Sequence, residues 1–143
     1  MSGHPIPFKV QLTPNWSIVL QQQFKQRTED KTLVLFNDQI SIWIRSYSAG
    51  NSENIIGRME RDAGFAPENA IDLKKDISGG IGRVSYLVPA IVDGDKPRPP
   101  TFYTYNHATD TQIMMSFIHK DEAGLEVAKG ILNSIEYTET ATT

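Results

Sequence analysis

A chain of 143 residues with 39% hydrophobic and 22% charged side chains has the size and make-up of one globular domain, residues 1–143. Its 14 Lys and Arg against 17 Asp and Glu leave a net charge of −3, without the basic field that nucleic-acid phosphates demand. The absence of cysteine removes disulfides, thiolate catalysis and Cys-type zinc sites together.

The opening residues, Met1 to Pro7, show no basic region followed by an apolar run, so they do not read as a secretory signal. No apolar stretch approaches the ~20 residues of a membrane helix. A cytoplasmic protein without membrane insertion is the expectation. Phe8, Val10 and Leu12 then alternate with Lys9 and Gln11, the pattern of a half-buried strand, and Thr13-Pro14-Asn15 turns the chain. Residues 17–25 alternate again, with Ile18, Leu20 and Phe24 on one side and Gln21 and Gln23 on the other; Gln22 breaks the apolar face. Residues 31–36 form a third strand, and Asn37-Asp38 is a hairpin turn. Ile40, Ile42 and Ile44 are the apolar face of a fourth, with Ser41, Trp43 and Arg45 opposite.

Asn51 and Ser52 are N-cap candidates for a helix over 53–63, whose apolar side is Ile55, Ile56, Met59 and Ala63. Gly64 suits the left-handed position that closes a helix. Residues 71–78 and 82–88 pair around Gly79-Gly80, and the loop 93–100 carries Pro97, Pro99 and Pro100. An aromatic-rich strand over 101–107 turns at Ala108-Thr109-Asp110 into a last strand, 111–118. A helix over 122–136 follows, with Val127, Ala128, Ile131, Leu132 and Ile135 as its buried stripe. The first seven residues and the polar tail 138–143 are expected to fray. The order is ββββ-α-ββββ-α, and runs of strands separated by single helices indicate an α+β domain built on a twisted antiparallel sheet.

Chemistry is sparse. His107 and His119 end neighbouring strands at opposite ends of the pair, and no histidine spacing suits zinc; both read as solvent-exposed strand-end residues. Gly79-Gly80-Ile81-Gly82 is followed by a strand and not a helix, so it reads as a hairpin turn and not a phosphate loop. Asp93-Gly94-Asp95 lacks the further acids of a calcium loop. Pro97-Arg98-Pro99-Pro100 reads as a rigid connector ahead of a polyproline ligand. Glu60 and Asp62 diverge on their helix and form no acid–base dyad. No catalytic residue, metal ligand or cofactor-binding residue is therefore assigned. An enzyme assembled from residues distant in sequence would leave no local signature.

The aromatics carry more. Trp43, Arg45 and Tyr47 share one face of their strand, and Tyr103 and Tyr105 share a face of another. Trp, Tyr and Arg dominate binding hot spots when exposed together. The competing reading is core beneath a helix, favoured for Trp43 and level with exposure for Tyr103 and Tyr105.

The hairpin reaching Pro14-Asn15-Trp16, the strand Ile40-Ser41-Ile42-Trp43-Ile44, and Met114-Met115-Ser116-Phe117 before the Ala128–Ile135 helix also carry a likeness. The chain resembles the PsbP-like superfamily of small α/β/α sandwiches. That group includes a photosystem extrinsic subunit, a Ran-binding import factor, and bacterial DcrB-type and secretion-adaptor proteins. The resemblance implies an antiparallel sheet with helices on both faces, and binding of a protein partner more than catalysis; it transfers no functional residue. The expectation is a non-catalytic protein-binding module, either a bacterial cytoplasmic adaptor or chaperone or a toxin-neutralising partner. A small enzyme or ligand-binding protein with a pocket between sheet and helix is the alternative. Homodimerisation through an edge strand stays open.

Overall fold

The alternating segments become strands, and their registers decide which side chains share a face. The computed structural model describes residues 5–48, 54–90, 98–109 and 111–138. In chain order the elements are β1 (Phe8–Gln11), β2 (Trp16–Leu20), β3 (Lys25–Glu29), β4 (Thr32–Phe36), β5 (Ile40–Ser48) and α1 (Ile55–Ala63). Then follow β6 (Ile71–Ser78), β7 (Ile81–Val88), β8 (Thr101–His107), β9 (Thr111–His119), α2 (Glu122–Asn133) and β10 (Glu136–Tyr137). Seven strands form the main sheet in the order β3-β4-β5-β9-β8-β7-β6, and β1-β2-β10 form a second, three-stranded sheet. Every strand pair is antiparallel, so the fold is α+β as the sequence implies.

One face of the main sheet holds Ile42, Ile44, Met115, Phe117 and Phe102, brought side by side by the pairings Ile42↔Phe117, Ile44↔Met115 and Phe102↔Phe117. Against it lie α2, through Ala128, Ile131 and Leu132, and the small sheet, through Trp16, Ile18 and Leu20. Full burial of each such side chain contributes roughly 1.5–3 kcal/mol, which makes this layer the core. The opposite face receives α1. There Gly82 leaves the room: a Cβ on it would meet Ile55 Cγ2 at 2.4 Å and Met59 Sδ at 2.7 Å. The two helices therefore lie on opposite faces, and the small sheet shares the layer of α2.

Several local expectations need correction. The segment 17–25 is not one strand: β2 ends at Leu20 and the polar Lys25–Glu29 begins a new one. That strand is exposed throughout, so no apolar alternation marked it. Its turn to β4 uses Asp30 and Lys31, both at positive φ (46° and 67°). The last helix stops at Asn133, three residues early, where the Ser134 hydroxyl donates to the Ile131 carbonyl at 2.6 Å and accepts from the Val19 amide at 2.8 Å. Glu136–Tyr137 then pairs with β2, and the Thr138 amide is held by the Asn15 carbonyl at 2.7 Å.

The cap of α1 is Asn54, whose side chain accepts from Gly57; Asn51 and Ser52 lie outside the described residues. Gly64 is right-handed (φ −68°), its N–H shared by the Glu60, Arg61 and Asp62 carbonyls. Ile56 is 59% exposed, while Arg58 and Asp62 turn inward. The loop residues Asp93 to Pro97 and Asp110 also fall outside the description. The Gly79-Gly80 hairpin stands as read, with φ of 59° and 80°.

Candidate functional site

The α1 face of the main sheet is only partly roofed. On this face a helix of nine residues covers β7 and the end of β8, and no described helix lies over β5 and β9, whose α2 contact is on the opposite face. Registers lay the uncovered side chains out in rows. Trp43, Ser116, Tyr103 and Tyr86 form one row; Arg45, Met114, Tyr105 and Val84 the next; Tyr47, Gln112, His107 and Gly82 the third. All five residues singled out in the sequence thus share one face, in neighbouring rows.

Trp43 is half-buried, with the Arg27 guanidinium 5.6 Å from its ring centre in place of a helix. Arg27 also lies 5.0 Å from the Phe36 ring and pairs with Glu29 at 3.0 Å. Such a cation on an aromatic face contributes about 0.5–1 kcal/mol at an exposed site and fixes the ring's edge. Arg45 is exposed, donates to Thr32 Oγ1 at 2.6 Å, and reaches the Tyr47 hydroxyl at 3.5 Å. Tyr47 is 39% exposed.

Two hollows lie along these rows. One of about 340 Å³ is lined by Trp43, Arg45, Ser116, Thr32 and the acidic Glu29 and Asp30. The other, about 290 Å³, is lined by Tyr105, His107, Gln112 and, from α1 and the connector after it, Arg61, Asp62 and Phe65. Tyr47 and Met114 line both, so the two hollows adjoin and together make a groove. Phe65 is 61% exposed at its rim. The groove floor is aromatic with Met114 at its centre, and its rim carries both charge signs.

The α1 wall is held by a buried polar cluster. His107 Nε2 meets the Asp62 carboxylate, and both side chains are almost fully buried. Arg58 is buried beside them and donates Nη2 to the Ala108 and Thr109 carbonyls at 2.9 and 3.1 Å. His107 Nδ1 and Gln112 Oε1, on residues directly paired across β8 and β9, have no hydrogen-bond partner among the described residues. The expectation of solvent-exposed histidines fails: His107 is 1% and His119 4% exposed. His119 is closed off by Gly124, where a Cβ would sit 2.9 Å from the histidine Cβ. No cluster of His, Asp or Glu suited to a metal occurs among the described residues.

The tyrosines bordering the groove are locked together. Tyr86 and Tyr105 share a hydroxyl hydrogen bond of 3.1 Å, and Tyr86 stacks 5.4 Å from Tyr103. Burial pushes the Tyr105 hydroxyl far above the ordinary tyrosine range, with the Tyr86 bond adding to it. Burial also raises Tyr86. Below pH ~10 both folded and unfolded tyrosines are neutral; above it the unfolded chain loses these protons first, so stability falls. Chemical denaturation should therefore show stability flat toward pH 10 from below and declining beyond it. Tyr86→Phe/Tyr105→Phe should shallow that decline.

A third hollow, about 240 Å³, lies between α2 and β6–β8 on the other face, lined by Asp72, Asp76, Arg83, Lys129 and Leu125.

No protein-family model and no curated protein matches this chain. A crystal structure from Bacteroides thetaiotaomicron VPI-5482 does, with a TM-score of 0.69 at 9% identity over 94% of this chain. The fold is shared. This chain spans 50% of that one, and at such identity the likeness extends to the fold alone.

Met114, Ser116, Arg27 and Phe65 are not among the binding residues the sequence suggests. Met114 and Ser116 sit on a strand whose two faces are both apolar enough to pass for core. Phe65 fell in a connector, where an exposed aromatic was the one available signal. Arg58 and Asp62 share a helix face at i, i+4 with Met59 between them, a spacing that marks a common surface.

Proposed function

We propose that this chain is a non-catalytic protein-binding module, an adaptor or chaperone that docks an apolar segment of a client in the groove over β5 and β9. The observation that carries this reading is the aromatic face: Trp43, Tyr47, Tyr103, Tyr105 and Met114 in adjoining rows, with no described helix over the β5 and β9 part of it. Sheet faces in a two-helix sandwich are ordinarily covered, and one left open with Trp, Tyr and Arg matches the make-up of hot spots. The PsbP-like resemblance, whose bacterial members include secretion adaptors, supports this reading.

The test is capture from the native cell's lysate by tagged protein, wild type beside Trp43→Ala/Arg45→Ala, followed by titration of the recovered partner. A hot-spot tryptophan contributes about 2 kcal/mol, so Trp43→Ala alone should weaken binding about 30-fold. An apolar client responds little to salt. Steep salt dependence would favour the toxin-neutralising alternative, in which acidic residues steer a basic partner. Binding unaffected by the double variant would remove the groove from consideration.

A second reading has one specific observation in its favour. Buried His107 Nδ1 and Gln112 Oε1, on residues lining the hollow beneath α1, have no partner among the described residues, an arrangement of polar groups that suits a small ligand in an apolar pocket. A small molecule that raises the Tm of the wild type but not of Gln112→Leu would support it.

A further inference from the structure

The two edges of the main sheet are unlike. At β3 the edge reads Lys-Gln-Arg-Thr-Glu, a charged strand that discourages pairing. At β6 the edge is eight residues long, exposed throughout, and carries Ile71, Leu73 and Ile77 at 47%, 47% and 56% exposure. A bulge disturbs only its start, between Ile71 and Lys74, where Asp72 has φ 56°. Beyond it the register against β7 is regular to the Gly79-Gly80 turn.

That turn fixes which backbone groups are free. Two central residues at positive φ make a two-residue hairpin of the primed type, in which the flanking Ser78 and Ile81 exchange hydrogen bonds. Alternation then points the N–H and C=O of residues 74, 76 and 78 toward β7 and those of Lys75 and Ile77 outward, with Leu73 next along the edge at the end of the bulge. No described strand receives them.

We infer that β6 pairs with β6 of a second copy of this chain, antiparallel about a two-fold axis at Lys75. In that register Leu73 faces Ile77 of the other copy, and Lys74 faces Asp76. The two-fold repeats both matches, so the surface is self-complementary in charge and in apolar contact. Lys75 meets its own mate, and its charge is already answered by Glu60 of α1 at 2.8 Å. The one-residue alternative, centred on Lys74, sets Asp72 against Asp76 and Lys74 against itself, so charge selects the first. Shifting by one residue also exchanges which side chains face one another, which makes the choice sharp. The result is a continuous sheet through both copies, with the β5–β9 groove of each left open on the same side. This pairing is independent of what the groove binds.

An edge contact of this length is small, so the dimer is expected to be weak and concentration-dependent. Sedimentation velocity on the full chain over a wide concentration range should show the weight-average mass rising from monomer to dimer. Asp76→Lys and Lys74→Asp should each weaken the dimer about tenfold or more, by placing like charges opposite one another twice. An equimolar mixture of the two variants should regain it, because each then supplies the charge the other lacks. Every residue changed is exposed, and recovery in the mixture would also show that both variants are folded. A wild type that stays monomeric throughout, or a dimer indifferent to Asp76→Lys, would overturn the inference. So would variants that fail to complement each other on mixing.

Discussion

Trp16→Ala is expected to destabilise the domain by about 4 kcal/mol, the largest effect of any single substitution considered. Trp16 is fully buried, its ring is 5.0 Å from Tyr137, and its indole N–H donates to Thr111 Oγ1 at 2.8 Å. It thereby joins β2, β10 and β9, the contact between the small sheet and the main one. Truncation leaves a cavity at that seam and an unanswered hydroxyl beside it. Urea unfolding should show the midpoint falling with the slope unchanged. Trp16→Phe, which keeps a ring and loses the hydrogen bond, should cost about 1 kcal/mol. A loss below about 1 kcal/mol for the alanine variant would mean the small sheet is dispensable to the fold.

Asp62→Ala should cost about 3 kcal/mol, since it strands His107 in the interior without its partner. The carboxylate is 5% and the imidazole 1% exposed, so water cannot step in without opening the α1 contact. The effect should reach function as well as stability. Asp62 anchors the helix that leads to Arg61 and Phe65, the wall of the groove. Hydrogen exchange should rise first in α1 and at the end of β8, and client affinity should fall alongside. Asp62→Asn, which keeps a hydrogen-bonding acceptor of the same shape, should recover part of the loss. Equal exchange in α1 of wild type and Asp62→Ala would contradict this role for the pair.

What could be read from the residues was whatever periodicity imposes. Ile40, Ile42 and Ile44 announced a strand with one buried face, and Val127 to Leu132 announced a helix over it; both are where the pattern put them. Gly79-Gly80 announced its turn through the need for positive φ. Where burial is absent the pattern falls silent, so Lys25–Glu29 passed unnoticed as an edge strand. Ile135 satisfies a helical and a strand period alike, and only the pairing Glu136↔Ser17 settles the matter for Glu136–Tyr137.

The candidate face shows the same division. That Trp43, Arg45 and Tyr47 lie together follows from alternation within one strand. That they adjoin Tyr103 and Tyr105 does not, because β9 must come between β5 and β8. Burial of Asp62 and His107 was unreadable for a related reason: charged residues ordinarily mark the outer side of a helix, and here a pair separated by 45 residues buries its polarity together.

The groove is the centre of this account, and site-specific photo-crosslinking tests it most directly. Benzoylphenylalanine placed at Tyr47, at Tyr103, or at Lys129 beside the hollow under α2 would be irradiated in the native cell. One discrete adduct from Tyr47 and Tyr103, absent from Lys129 and reduced by Arg45→Ala, is the expected result. Adducts from Lys129 alone would place the partner on the opposite face and contradict the groove as the binding site.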